Sequence, residues 1–217
     1  QLRDPKYFQD AERILRGHLL PSQLRDVSWI VDPENPDGID GLRDVANRHL
    51  GAFGFPAPYG HAPLGYEEVR FNMDIVGGAT GSLCEACRAT VQEADGVTRV
   101  NMLFDYEDDT IRVESPYPSG VLRVTPGIEQ PIAVRVPSWV DADLALTAVP
   151  GSTFDTSGRW LMIDAPLANE PIAIPMPLAE ETIALEHRTR TIEARLAGDA
   201  VVAMDNFGAD LTFFPER

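Results

Sequence analysis

Basic side chains are scarce in this chain. Its 217 residues hold 18 Lys and Arg against 34 Asp and Glu, a formal charge of −16, and the single lysine is Lys6. Nucleic acid and anionic membrane surfaces are held by clustered basic residues, so this balance excludes both as partners. A neutral ligand or a cation is compatible with it. Cysteine is scarcer still: Cys84 and Cys87 are the whole complement, which excludes a disulfide-built framework. No apolar run approaches the roughly 20 residues that a membrane-spanning helix needs. There is no signal-peptide pattern and no initiator methionine. A chain opening at Gln1 is expected to be processed or cut from something longer, and the missing leader and disulfides favour the cytoplasm. What is present in quantity is apolar: 44% hydrophobic against 24% charged residues suffices for a buried core and excludes disorder by composition.

The first part of the chain reads as helix and loop. Asp4-Pro5 is a helix opening, with Asp as N-cap and Pro at the first helical position. Tyr7, Phe8, Ala11, Ile14, Leu15 and His18 then share one face, and the helix should end near Leu20, weakened at Gly17. So apolar a face must lie on a partner surface, and the chain offers little to supply it. Val27 to Val31 reads as a short extended run, 32–41 as turn chemistry, and 42–50 as a short helix. Residues 51–65, broken by Gly and Pro every few positions, form a long loop carrying Phe53, Phe55, Tyr59 and His61. Such a loop lines a sugar or aromatic pocket; equally, its aromatics plug the edge of a core.

The stretch Phe71 to Cys87 is where chemistry is expected. An apolar run passes through Gly77, Gly78 and Gly81 into Ser82-Leu83-Cys84-Glu85. Ser82 and Glu85 have capping-box spacing, which predicts a helix start with Cys84 in its first turn. Unpaired N–H groups and the helix dipole stabilise a thiolate there. The alternative is a small cysteine packed as an apolar residue. Cys84 and Cys87 also have the spacing of half a zinc site, and no second Cys-x-x-Cys or close His pair completes it. Asp74 lies in the apolar run, where burial would raise its pKa. It and Glu85 are candidate catalytic carboxylates, or else a hydrogen-bonded Asp and a capping Glu.

After residue 95 the pattern changes to short period-two runs separated by turn signals, from Arg99–Phe104 through Leu144–Ala148 to Leu211–Phe214. Strands at this spacing predict an antiparallel β-sandwich with Ile132, Val134 and Val136 facing its core. Trp139 and Trp160, in apolar strand context, should be buried. The fold class expected is α+β, mostly β, with a helical and loop segment over 1–95 and a sandwich over 96–217.

Six stretches in order then resemble glycoside hydrolase family 127, the β-L-arabinofuranosidase-like six-hairpin proteins. Tyr7-Phe8-Gln9-Asp10-Ala11-Glu12-Arg13 looks like that family's late barrel helix, and Trp29-Ile30-Val31-Asp32-Pro33 like its short strand and turn. Val100-Asn101-Met102-Leu103-Phe104 is similar to the first sandwich strand. Ser115-Pro116-Tyr117-Pro118, Val134-Arg135-Val136-Pro137-Ser138-Trp139 and Ile174-Pro175-Met176-Pro177 are similar to later strand signatures. The resemblance implies the last hairpin of an (α/α)6 barrel followed by a sandwich, with carbohydrate as substrate and an N-terminal barrel, or another chain, as partner. It implies that Cys84 is nucleophile or zinc ligand. The family's active-site cysteine pair falls on Cys84-Glu85, so one of the two thiols is replaced, and Cys87 holds no family position. The remaining zinc ligands and the acid/base glutamate would precede Gln1, so the chain alone is expected to be inactive. A carbohydrate-binding module and a purely structural sandwich are the alternatives.

Overall fold

The computed structural model describes residues 5–23, 25–28, 30–53, 73–155, 159–187 and 190–205. Helix α1 (Pro5–Ile14) begins at the proline that tolerates a first-turn position, and it widens into a π-helical turn over Leu15–Leu19, around Gly17. Helix α2 (Val45–His49) lies within the stretch expected to hold a short helix, and a 3₁₀ turn (Asp40–Leu42) closes the turn-rich stretch before it. His49 is structural, with Nδ1 2.7 Å from the Val45 carbonyl oxygen. The extended run expected at Val27–Val31 forms no strand among the described residues, and Trp29 lies outside them.

Helix α3 (Met73–Thr90) departs from expectation. It is 18 residues long and starts well before Ser82, so Cys84 sits deep inside it and not at its N-terminus. Gly77, Gly78 and Gly81 are helical, none with a positive φ. Each costs up to about 1 kcal/mol relative to alanine, which weakens a helix without stopping it. The Ser82…Glu85 spacing is also that of helical neighbours, and Glu85 instead meets Arg88, one turn on, at 2.7 Å.

The rest is largely sheet. β1 (Val91–Ala94) and β2 (Val97–Val100) form a hairpin whose tip, Asp95-Gly96, has positive φ at both positions, as a two-residue type I′ turn demands. That tip falls where the sequence changes character. One five-stranded sheet runs β1-β2-β6-β8-β7, with β6 at Ile132–Arg135, β7 at Thr153–Asp155 and β8 at Trp160–Ile163. A four-stranded sheet runs β3-β4-β5-β9, with β3 at Tyr106–Glu107, β4 at Ile111–Glu114, β5 at Val121–Pro126 and β9 at Ile172–Pro175. Pairing is antiparallel except for β2 and β6, which run parallel because the chain crosses to the other sheet and back between them. Val100, Val134 and Leu161 of the first sheet share one hydrophobic core with Val113, Leu122 and Ile174 of the second. The arrangement is a β-sandwich-like pair within a β-rich α+β fold.

Three differences from the sequence pattern have local causes. Leu144–Ala148 is not a strand but part of helix α4 (Ala142–Ala148). The Asp141 carboxylate caps its start by accepting from Asp143 N, and Ala145 and Val149 are buried on one helical face. Second, β10 (Glu180–His187), β11 (Arg190–Ala197) and β12 (Ala200–Met204) form a separate three-stranded sheet. The strand expected at Leu211–Phe214 lies outside the described residues. Third, β6 is buried on both faces: Ile132 and Val134 point into the core as expected, but Ala133 and Arg135 are enclosed too. Trp160 is buried as expected, whereas Trp139 is half-buried at the rim of the core.

Candidate functional site

Helix α1 reaches β6 through Glu12, the partner of the enclosed Arg135. Its polar residues, at one-turn intervals, dock on the β-structure. Glu12, though a carboxylate, is only 2% exposed. It accepts from Leu103 N at 2.9 Å, from the Tyr117 hydroxyl, and from Arg135 Nη2 of β6. One turn earlier, Gln9 and Ser138 exchange two hydrogen bonds at 2.8 and 3.0 Å. One turn later, the Arg16 guanidinium lies 3.0 Å above the centre of the Tyr117 ring and 3.5 Å from Asp199, in the turn between β11 and β12. Burial, and then the Glu12 carboxylate, push the Tyr117 hydroxyl far above the usual phenol range, so it stays protonated and donates.

The same polar line reaches α3. Arg135 Nε donates to the Asn101 carbonyl at 2.5 Å, and Asn101 Nδ2 donates to the Ala89 carbonyl near the end of α3 at 3.0 Å. Asn101 N also donates to the Thr90 carbonyl at 2.9 Å. Both helices are therefore fixed to one sheet through Glu12, Arg135 and Asn101. Between them runs an apolar groove of about 780 Å³. Tyr7, Phe8, Ile14 and Leu15 form one wall, and Gly78, Gly81, Ser82, Glu85 and Ala89 form the other. Tyr7 is 50% and Ile14 58% exposed, so the apolar face of α1 is left open, as its lack of a partner in the sequence predicts, although Leu15 is buried.

The residues expected to form a site are not gathered into one. Glu85 lines the groove. Cys84 does not: at about 3.6 residues per turn it lies on the opposite side of α3, with Cys87. Both thiols are free and exposed, so Cys84 is not packed as an apolar residue. Asp74 falls in the first turn of α3, and only its backbone position is described. Phe53 is 2% exposed and its backbone bridges to Gln23, so it plugs a local core. Phe55, Tyr59 and His61 lie outside the described residues. Among the described residues no group of three or more His, Cys, Asp or Glu side chains converges, so the two thiols do not by themselves fit a four-ligand zinc centre. No described helix is long and apolar enough to cross a membrane.

Glu12, Arg135 and Asn101 each lie in a stretch that carries the family resemblance, but none of the three was expected as a site residue. A signal for Arg135 was nevertheless present. A charged residue inside the apolar alternation Ile132–Val136 must find a buried counter-charge. No protein-family model matches this chain, and no curated protein matches it.

Proposed function

We propose that this chain is the C-terminal, supporting part of a glycoside hydrolase that resembles the β-L-arabinofuranosidases and acts on plant- or microbe-derived glycans. The observation that carries the reading is the orientation of α1. A surface helix ordinarily buries its apolar face and leaves its polar face to water. Here Gln9, Glu12 and Arg16 are committed to the β-structure, while Tyr7, Phe8 and Ile14 face an open groove. In this reading α1 and α3 are the end of an (α/α)6 barrel, further helices fill the groove, and the sheets buttress it. Gly78 and Gly81 on the α3 wall let another helix approach closely. A module that grips glycan on an aromatic platform has less support: among the described residues the one exposed aromatic side chain is Tyr7, which is on α1 and not on a sheet.

The test is hydrolysis of a panel of aryl pentofuranosides by the 217-residue chain and by the longest natural polypeptide that contains it. Turnover by the longer polypeptide and none by the chain is expected. Turnover by the chain itself, abolished by Cys84→Ser, would falsify the supporting role. A longer polypeptide without glycosidase activity would remove the hydrolase reading.

A further inference from the structure

We propose that Cys84 and Cys87 form a chelating dithiolate site for a soft, two-coordinate cation of the copper(I) type. The site stands apart from the groove and from the hydrolase reading. Both thiols are free and exposed. Three residues apart on α3, they are helical neighbours with Cβ atoms about 5–6 Å from one another. The helical backbone holds that spacing before any ion arrives, which lowers the ordering cost of chelation. Each thiol gives up its proton and donates a sulfur electron pair, so one bound cation releases two protons to solvent.

The ligand count selects the metal. Structural zinc takes four ligands, and calcium and magnesium take oxygen. Among the described residues no third His, Cys, Asp or Glu completes a cluster with this pair. Glu85, between the two cysteines in sequence, lies on the groove side of the helix and is engaged by Arg88 at 2.7 Å. Two thiolates alone match a soft d¹⁰ cation that is satisfied by two sulfur donors. The formal charge of −16 adds a favourable field for any cation.

The experiment is an anaerobic titration of the reduced chain with copper(I) in competition with bicinchoninate, with proton release and molecular mass recorded. One copper per monomer and two protons released are expected. Cys84→Ser and Cys87→Ser should each weaken binding by about 10²–10⁴-fold, the loss of an intramolecular second ligand. Both positions are exposed, so the far-ultraviolet dichroism of these variants should be unchanged. Position is then tested by rescue. Thr80→Cys added to Cys87→Ser puts a thiol one turn from Cys84 on the same face and should restore binding. Ser82→Cys on that background puts it across the helix and should not. Wild-type affinity in Cys87→Ser, half a copper per chain in a dimer, or rescue by Ser82→Cys would each overturn the proposal.

Discussion

Between the two large sheets, Val100, Leu122, Val134, Leu161 and Ile174 are fully enclosed, whereas on the apolar groove face of α1, Tyr7 and Ile14 are half exposed. The difference lies in what each surface was given to pack against. The sheets face one another, so every inward residue finds a partner at van der Waals distance and its full area leaves water. The helices are anchored to the sheet by polar contacts, and their apolar faces meet across an open groove. Apolar character alone therefore does not locate a core. In this molecule a buried carboxylate holds the helix down, and the hydrophobic stripe is the part left unfilled.

The strongest way to break that comparison is at the anchor. Glu12→Ala leaves Arg135 buried without its counter-charge and should cost about 3–5 kcal/mol in urea unfolding. Glu12→Leu combined with Arg135→Met should cost much less than either single change, because no lone charge is then left inside. Equal costs for the single and double variants would mean that packing, not charge pairing, holds α1.

Core and groove can be compared directly. Leu122→Ala opens a cavity in an enclosed site and should cost about 2–5 kcal/mol. Ile14→Ala, on an exposed position of the groove, should stay within about 0.5 kcal/mol. A comparable loss at Ile14 would show that the groove is closed in solution.

Alkaline titration probes the same anchor more gently. The folded state keeps the Tyr117 proton where the unfolded chain releases it. Stability from this group is therefore complete below about pH 10 and falls above it, by about 1.4 kcal/mol per pH unit. Tyr117→Phe should remove that part of the slope. Identical slopes in the two proteins would place Tyr117 in a more open setting.

The smallest effect is expected away from both regions. The Glu85–Arg88 pair is 73–75% exposed, so Glu85→Ala should change stability by less than about 0.5 kcal/mol. A larger loss would give Glu85 a structural duty in addition to its place on the groove wall.

Much of the architecture was open to reading from the chain. Pro5, the apolar stripe of α1 and the alternation at Ile132–Val136 each encode their structure locally, through φ preference or side-chain period, and appear where expected, whereas β1 (Val91–Ala94) and its Asp95-Gly96 hairpin tip lie in the segment read as helix and loop. The start of α3 was not legible, because Ser-x-x-Glu satisfies an N-cap and a helix interior equally well and three helical glycines look like a loop. Helix α4 was misread as a strand because five short apolar-rich residues carry too little periodicity to choose between the two.

The site divides in the same way. Residue identity alone settles that this is an acidic chain with two thiols, one turn apart if helical, and an amphipathic first helix. Which face of that helix is docked, and which side of α3 the thiols occupy, depends on partners far away in the chain. Glu12 meets Leu103, Tyr117 and Arg135 across separations of 91 to 123 residues. No local pattern encodes that meeting. It exists because the sheets bring three donors to one point and a buried carboxylate is tolerated only where such donors converge.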